Sequence, residues 1–237
     1  MKTVFTASDK LGDIVSKLPK ASEIFKRYNI DFCCGGQRPL AAAIQEQNLN
    51  EGEILAALGK AYQEAESVKQ DTAKDWQQSS YSELIDHIVN THHAYLNQEL
   101  PRLSENVTKI LRVHGAHHGA VLSKVHKLFH SLKMDLEQHL IKEEEILFPM
   151  IKEYEKNPAD SLLPKIRETI LDIENEHTAA GDILKEIRSI TEQYVSPEDA
   201  CTTFRLTYQK LEELESDLFQ HIHLENNILF PRLGMQV

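Results

Sequence analysis

An eleven-residue motif occurs twice in this chain, and it limits the fold more than any other feature of the sequence. The first copy runs from His139 to Pro149 and the second from His221 to Pro231, and they match at His, Glu, Ile, Leu, Phe and Pro. Each copy has a histidine four residues before a glutamate, which places both side chains on one face of a helix. His93 and His177 precede the two copies by 46 and 44 residues. The repeat therefore predicts two similar helical hairpins related by an approximate twofold axis.

Apolar residues at helical spacing predict an all-α fold with an antiparallel four-helix bundle over residues 80–237. The histidine- and glycine-rich segment 114–119 is predicted to connect the first two helices, and Pro149 to kink or stop the second. Ile146 and Leu147 are expected to line the apolar interior. The four helices are predicted at about residues 80–113, 121–154, 163–194 and from 196 onward.

The N-terminal part is predicted to be a small helical domain over residues 1–67, joined to the bundle by a polar linker at 68–79. Its main feature is a turn that contains the adjacent cysteines Cys33 and Cys34, followed by two glycines. Adjacent cysteines can close only a strained ring, so a pair acting in redox chemistry or in metal transfer is predicted. Cys201 is predicted to be a small buried apolar side chain.

Composition excludes several classes of protein. The formal net charge is -11, which argues against nucleic acid or an anionic membrane as a partner. No apolar run approaches the ~20 residues of a spanning helix, and the first residues lack the apolar core of a secretory signal. Three cysteines cannot form a disulfide scaffold, and a cytoplasmic location is expected. All twelve histidines lie after residue 86, in the predicted bundle.

The repeated histidines and glutamates predict a metal centre inside the bundle. A single His–Glu pair at this spacing is usually a solvent-exposed pair, but surface pairs need no repetition and no matching upstream histidine. Six nitrogen and oxygen donors without cysteine exceed the four ligands of a structural zinc, so two ions are predicted. Imidazole and carboxylate ligands suit iron, which we predict, while manganese or zinc also fits the ligand type. The six donors are His93, His139, Glu143, His177, His221 and Glu225.

Spacing alone leaves His114 open as a seventh ligand, because it ends the extension of the first helix. Glu144 and Glu145 are predicted to belong to a solvated face. The Ile-Leu-Phe-Pro ends of the two motifs are predicted to pack in the core and bend the helices. The remaining histidines have no repeat partner and are expected at the surface or beside the ligands: His87, His92, His117, His118, His126, His130 and His223.

With these motifs, and with Tyr28–Gly36, Leu84–Ile88 and Glu176–His177, the chain resembles the repair of iron centres (RIC) family. Such proteins join an N-terminal ScdA-type domain to a hemerythrin-like bundle that holds two non-haem iron ions. The resemblance implies that Glu143 and Glu225 bridge the ions together with an oxo or hydroxo group. It implies a ligand set that includes His114: His93, His114, His139, Glu143, His177, His221 and Glu225.

The resemblance also implies a function in restoring iron–sulfur clusters damaged by nitric oxide or oxidants, through donation of iron to the damaged proteins. The Cys33–Cys34 pair would then receive or pass the metal. Three alternatives stay open: a nitric oxide reductase, a reversible NO- or O2-binding module, and a purely structural bundle. The fused second module indicates self-association, so a homodimer is the corresponding prediction.

Overall fold

The computed structural model describes residues 4–68, 74–159 and 161–234. In these ranges every regular element is a helix, and the described residues contain no β-strand. The chain divides into two compact units, of which unit 1 comprises residues 1–84 and 220–237 and unit 2 comprises residues 85–219. The predicted domain boundaries stay a prediction, and residues 69–73 of the predicted linker lie outside the described residues.

Unit 1 is built from short N-terminal helices that pack around large apolar side chains. Leu11, Ile14 and Phe25 are among the buried residues at its centre. The apolar residues that recur at helical spacing in each short segment therefore pack together in one core. The segment after the second helix turns through Asn29, whose φ is 53°. The helices are α1 (Leu11–Lys17), α2 (Ala21–Arg27), α3 (Leu40–Glu46) and α4 (Glu51–Val68).

Unit 2 contains four long helical rods. One residue, His118, has non-helical φ and ψ of −119° and 15° and divides helix α6 into two rods. Contacts on the two sides of this kink, such as Ser104 to His130 (3.0 Å) and Thr108 to His126 (3.1 Å), show that the rods run antiparallel. The predicted connection at residues 114–119 is therefore confirmed. The first rod consists of α5 (Tyr81–Ile88) and the part of α6 (Ala94–Lys142) before His118, and the second consists of the rest of α6 and α7 (Phe148–Lys156). The third rod is α8 (Leu163–Ile190), and the fourth is α9 (Thr202–Leu224).

The other rods of unit 2 also pack antiparallel, which confirms the predicted bundle. The direction of each rod follows from a short connection to the rod before it, or from two contacts in which residue numbers rise along one rod and fall along the other. Between neighbouring rods lie the ion pairs Lys142–Glu176, Arg188–Glu215, His92–Asp217 and Glu99–Lys210. Helix α8 ends at Ile190 instead of the predicted Tyr194, because residues 192–194 all have positive φ.

Three π turns interrupt the helices, at Val89–His93, Glu143–Leu147 and Glu225–Leu229. The second and third lie at the same position of the two sequence motifs, just before a proline. Proline has no N–H and its ring crowds the preceding turn, so the wider π hydrogen bond accommodates it. Pro149 therefore does not stop the helix, which continues as α7. The π turn also leaves Ile146 exposed (50%), against the prediction that it lines the core.

Among the described helices, none combines the length and the apolar character needed to cross a membrane.

Candidate metal centre

Four predicted ligands come together in unit 2, around the carboxylate of Glu143. Oε2 of Glu143 lies 3.2 Å from Nε2 of His93 and 3.3 Å from Nε2 of His139. Nε2 of His177 lies 3.3 Å from Nε2 of His139. All four side chains are buried, and none of their residues is more than 3% exposed. Helix periodicity explains the His139–Glu143 pair, and the antiparallel rods bring the other two histidines to it.

The separations between these atoms fit metal ligands. Two ligands bound to one ion at about 2.1 Å, with an angle between about 90° and 110°, are about 3.0 to 3.4 Å apart. The three distances around Glu143 and His139 fall in this range. A buried carboxylate also needs positive charge near it, which a cation held by neutral imidazoles provides. The donors present in unit 2 therefore fit a metal ion.

The second motif forms an equivalent pair in unit 1. Nε2 of His221 lies 3.1 Å from Oε1 of Glu225, and both residues are fully buried. Glu225 begins the third π turn, in which the N–H of Phe230 donates to the carbonyl of Glu225 (2.9 Å). Glu143 begins the second π turn in the same way. The two copies of the motif therefore share a backbone conformation at their glutamates as well as a sequence.

Two further glutamates orient the unit 2 histidines. Oε1 of Glu144 lies 2.8 Å from Nδ1 of His93, and Oε2 of Glu176 lies 2.9 Å from Nδ1 of His139. A carboxylate can only accept, so each histidine donates from Nδ1 and presents the lone pair of Nε2 to the site. The hydrogen bond from His139, with the Lys142 ammonium, holds the pKa of Glu176 below its usual value.

The position of Glu144 corrects the prediction that it belongs only to a solvated face. Its side chain is 37% exposed, but its carboxylate reaches a buried histidine. Sequence reasoning missed this role because Glu143, Glu144 and Glu145 form one acidic run whose members are distinguished only by their helical phase. Glu176 was also missed as a partner, although it directly precedes His177.

The structure does not bring His114 to the other donors. It lies 21 residues beyond His93, which corresponds to about 31 Å along a helix. This distance puts it near the His118 kink, at the opposite end of the first rod. There its Nε2 lies 3.2 Å from Sγ of Cys201, and its ring contacts Phe204. His114, included in the ligand set through the resemblance, is therefore placed away from the site.

Cys201 also differs from its prediction, because it is exposed instead of buried. It directly precedes helix α9, where backbone N–H groups are available. Hydrogen bonds from the Phe204 N–H, His114 and the Thr203 N–H lower the pKa of Cys201 to about 7. The residue is thus an exposed, acidic thiol.

Two histidines expected at the surface or beside the ligands are buried. Nδ1 of His92 donates to Oδ1 of Asp217 at 2.9 Å in unit 2, and His92 is 7% exposed. His223 is 2% exposed in unit 1, 3.3 Å from Nδ2 of Asn227 and edge-on to the ring of Phe32. Both residues are close in sequence to a predicted ligand, His93 or His221, which agrees with the expectation that they lie beside the ligands.

The two adjacent cysteines of unit 1 form no disulfide bond. Sγ of Cys33 lies 3.8 Å from Sγ of Cys34 and 3.3 Å from Oδ1 of Asp31. Cys33 is buried and Cys34 is half-buried. Burial raises the pKa of Cys33 well above its usual value, and the thiol of Cys34 raises it further.

Comparison with known families agrees with this geometry. The profile described as "Hemerythrin HHE cation binding domain" matches residues 84–233. A second profile, ScdA_N, described as a domain of unknown function, matches residues 7–62. The hemerythrin match contains all six donors, and the second match contains both adjacent cysteines.

Relatives of similar length match almost the whole chain. A protein of Haemophilus influenzae named "Probable iron-sulfur cluster repair protein" is 40% identical over 227 residues, which cover 96% of this chain and 97% of the relative. The proteins named "Iron-sulfur cluster repair protein YtfE" from Shigella boydii and Escherichia coli O157:H7 are each 38% identical over 222 residues. Those residues cover 94% of either chain.

Proposed function

Because the chain belongs to the hemerythrin HHE cation-binding family and to its iron–sulfur cluster repair proteins, we propose that it repairs damaged iron–sulfur clusters by donating iron. The damage is nitrosative or oxidative, and the clients are proteins whose clusters have lost iron. Three cysteines, two of them adjacent, cannot form the disulfide scaffold of a secreted protein, so we place the activity in the cytoplasm.

The iron is held, in this proposal, as a pair of non-haem ions by six residues. Each motif supplies one histidine and one glutamate, and His93 and His177 add one imidazole each. Glu143 and Glu225, the first residues of the two π turns, would supply the two carboxylates that hold the iron. The observation that carries the proposal is the set of donor separations around Glu143, which match the edges of a coordination sphere.

Bound ferrous iron supplies the metal that a damaged cluster lacks. The residues of this chain hold it without thiolates in the bundle, and only two of the six donors carry charge. Such a site binds iron less tightly than a cluster with soft sulfur ligands, so transfer to the client is favourable. Glu144 and Glu176 keep the imidazoles oriented for rebinding. Cys33 and Cys34 serve as redox or metal-transfer thiols.

The test compares iron content and iron transfer in matched variants. His139→Ala and Glu225→Ala are expected to lose at least one iron per chain and to melt at lower temperature, because metal binding contributes folding energy. His126→Ala is the control, since it lies on the same helix α6 outside the donor set. Iron lost by the wild type should equal iron gained by a purified client whose cluster was damaged with nitric oxide.

The same assay tests nitric oxide reductase as the alternative function, which the names of the relatives do not favour. Steady nitrous oxide production with the iron retained in the protein would contradict donation. A stable oxygenated spectrum without transfer would instead indicate reversible gas binding. The homodimer is a separate proposal, which light scattering of the iron-loaded chain tests.

A further inference from the structure

We propose that Asp31, Cys33 and Cys34 form a second metal site, which binds one thiophilic divalent ion through two thiolates and one carboxylate. The site belongs to unit 1 and shares no residue with the bundle ligands. Ligand atoms of the three residues all lie within 4.8 Å of one another. Its use in passing ferrous iron rests on the proposed function, but the metal site itself does not.

The distance between the two sulfur atoms is that of a tetrahedral metal site, and an oxygen of Asp31 lies close to one of them. Two thiolates bound at about 2.3 Å with a tetrahedral angle are about 3.8 Å apart, and a thiolate and a carboxylate oxygen bound at about 2.1 Å are about 3.3 to 3.6 Å apart for angles between about 97° and 110°. Sγ of Cys33 lies 3.8 Å from Sγ of Cys34 and 3.3 Å from Oδ1 of Asp31. Three protein ligands leave a fourth position for exchange, and the half-buried Cys34 connects the site to its surroundings.

Metal binding suits these thiols better than disulfide exchange. A disulfide needs its sulfur atoms about 2.05 Å apart, and two adjacent cysteines reach this only with a strained backbone. The buried Cys33 thiol is also a poor nucleophile, because burial and the Cys34 thiol raise its pKa. A divalent ion displaces both thiol protons, so binding of one ion releases two protons to solvent.

The backbone around the site is fixed before metal arrives. Oδ1 of Asp31 accepts hydrogen bonds from the N–H groups of Cys33, Cys34 and Gly35 at 3.0 to 3.2 Å. These bonds also give Asp31 a purely structural role, as the cap of a turn. The two roles are separable, because an asparagine keeps the acceptor oxygen and removes the charge that a cation requires.

Asn227 holds the same loop from the third π turn. Its Nδ2 donates to the carbonyls of Phe32 (3.3 Å) and Cys33 (3.0 Å). A Cβ added at Gly36 would lie 2.1 Å from Oδ1 of Asn227. The second glycine after the cysteines is therefore required for close approach of this side chain, and Asn227 acts as a positioning residue for the thiol loop.

The experiment adds Co2+ alone to the metal-free full-length chain carrying Cys201→Ser, so that only Cys33 and Cys34 can give thiolate-to-cobalt charge-transfer absorption. We expect a charge-transfer band whose final intensity corresponds to one thiolate-bound ion per chain, in addition to any cobalt held by the bundle donors, with release of two protons for that ion. Cys33→Ser and Cys34→Ser should each weaken this binding at least about tenfold. Asp31→Asn should weaken it about tenfold while leaving the helical circular dichroism unchanged.

Absence of the band in the parent chain, or a band that survives both cysteine substitutions, overturns the proposal. If the parent chain and the Asp31→Asn variant bind cobalt with equal affinity, Asp31 is not a ligand of the site. The bundle donors contain no sulfur, so His139→Ala leaves the band intact. A chain that shows the band but fails to donate iron therefore contradicts the proposed function and leaves this site standing.

Discussion

Glu144 and His93 form a hydrogen bond of 2.8 Å between a partly exposed carboxylate and a fully buried imidazole. The bond joins two antiparallel rods of unit 2 and fixes which nitrogen of His93 faces Glu143. An outer carboxylate of this kind raises the basicity of the histidine and holds its ring in the orientation needed for a metal.

Glu144→Ala should therefore weaken iron retention, although Glu144 is not a proposed ligand. We expect iron loss to a chelator to become about ten to a hundred times more favourable, the usual range for such partners. Glu145→Ala is the matched control, because it removes the same group from the next, exposed position and should behave as the wild type. Equal iron retention in both variants would show that Glu144 has no part in the site.

Much of this site follows from the sequence, because the repeat specifies both the helical phase and the pairing of hairpins. His139 and Glu143 share a helical face by their spacing alone, and the second motif repeats that geometry at His221 and Glu225. The π turns at both glutamates were not predicted. Each of these two glutamates is followed six residues later by a proline, which favours the wider turn.

Features that depend on tertiary contacts could not be predicted from the sequence. The position of His114 follows from the location of the single reversal at His118, and helical periodicity does not fix that residue. The role of Asn227 requires knowledge that the second motif packs against the cysteine loop. Glu215 looks like any exposed helix glutamate in the sequence, but it is fully buried with Arg188.

Two glycines of unit 1 should respond oppositely to alanine. Gly59 lies inside α4 with nothing within 4 Å of an added Cβ, so Gly59→Ala should raise the free energy of unfolding by roughly 0.5 to 1 kcal/mol. Gly36→Ala should lower it by about 1 to 3 kcal/mol through overpacking. Asn227 cannot simply move away, because it donates two hydrogen bonds and also lies close to Gly12.

Urea unfolding of the full chain, with equal metal loading, measures both glycine variants. A double variant, Gly36→Ala with Asn227→Ala, should recover part of the loss because it removes the side chain that the new methyl group meets. If Gly36→Ala unfolds at the wild-type midpoint, the contact with Asn227 does not restrain the loop.

The thiol of Cys201 should react with iodoacetamide at neutral pH. Its pKa is lowered to about 7, so in a Cys33→Ser, Cys34→Ser background the alkylation rate should rise steeply around pH 7. His114→Ala removes one of the stabilising hydrogen bonds and should move the rise to higher pH. The same variant should keep all of its iron, because His114 lies far from the donors.

His117→Ala is the control for this titration, since His117 is an exposed residue of the same helix end. Its alkylation profile should match that of the parent background. Loss of iron from His114→Ala would contradict its placement near the kink and restore it to the ligand set.

The buried pair of Arg188 and Glu215 should dominate the stability of the third and fourth rods. Nε of Arg188 donates to Oε1 of Glu215 at 2.8 Å, and the two side chains are 8% and 0% exposed. Removing one partner leaves a buried charge without compensation, so Glu215→Ala should cost about 3 to 5 kcal/mol.

Replacement of both partners by apolar residues, Arg188→Met with Glu215→Leu, should cost far less than Glu215→Ala, because no charge then stays buried. The exposed pair of Lys185 and Asp182 on helix α8 provides the control, and Asp182→Ala should change stability by less than about 0.5 kcal/mol. Urea unfolding monitored by circular dichroism measures all three. A double variant as unstable as Glu215→Ala would mean that side-chain packing, and not the buried charge, determines the loss.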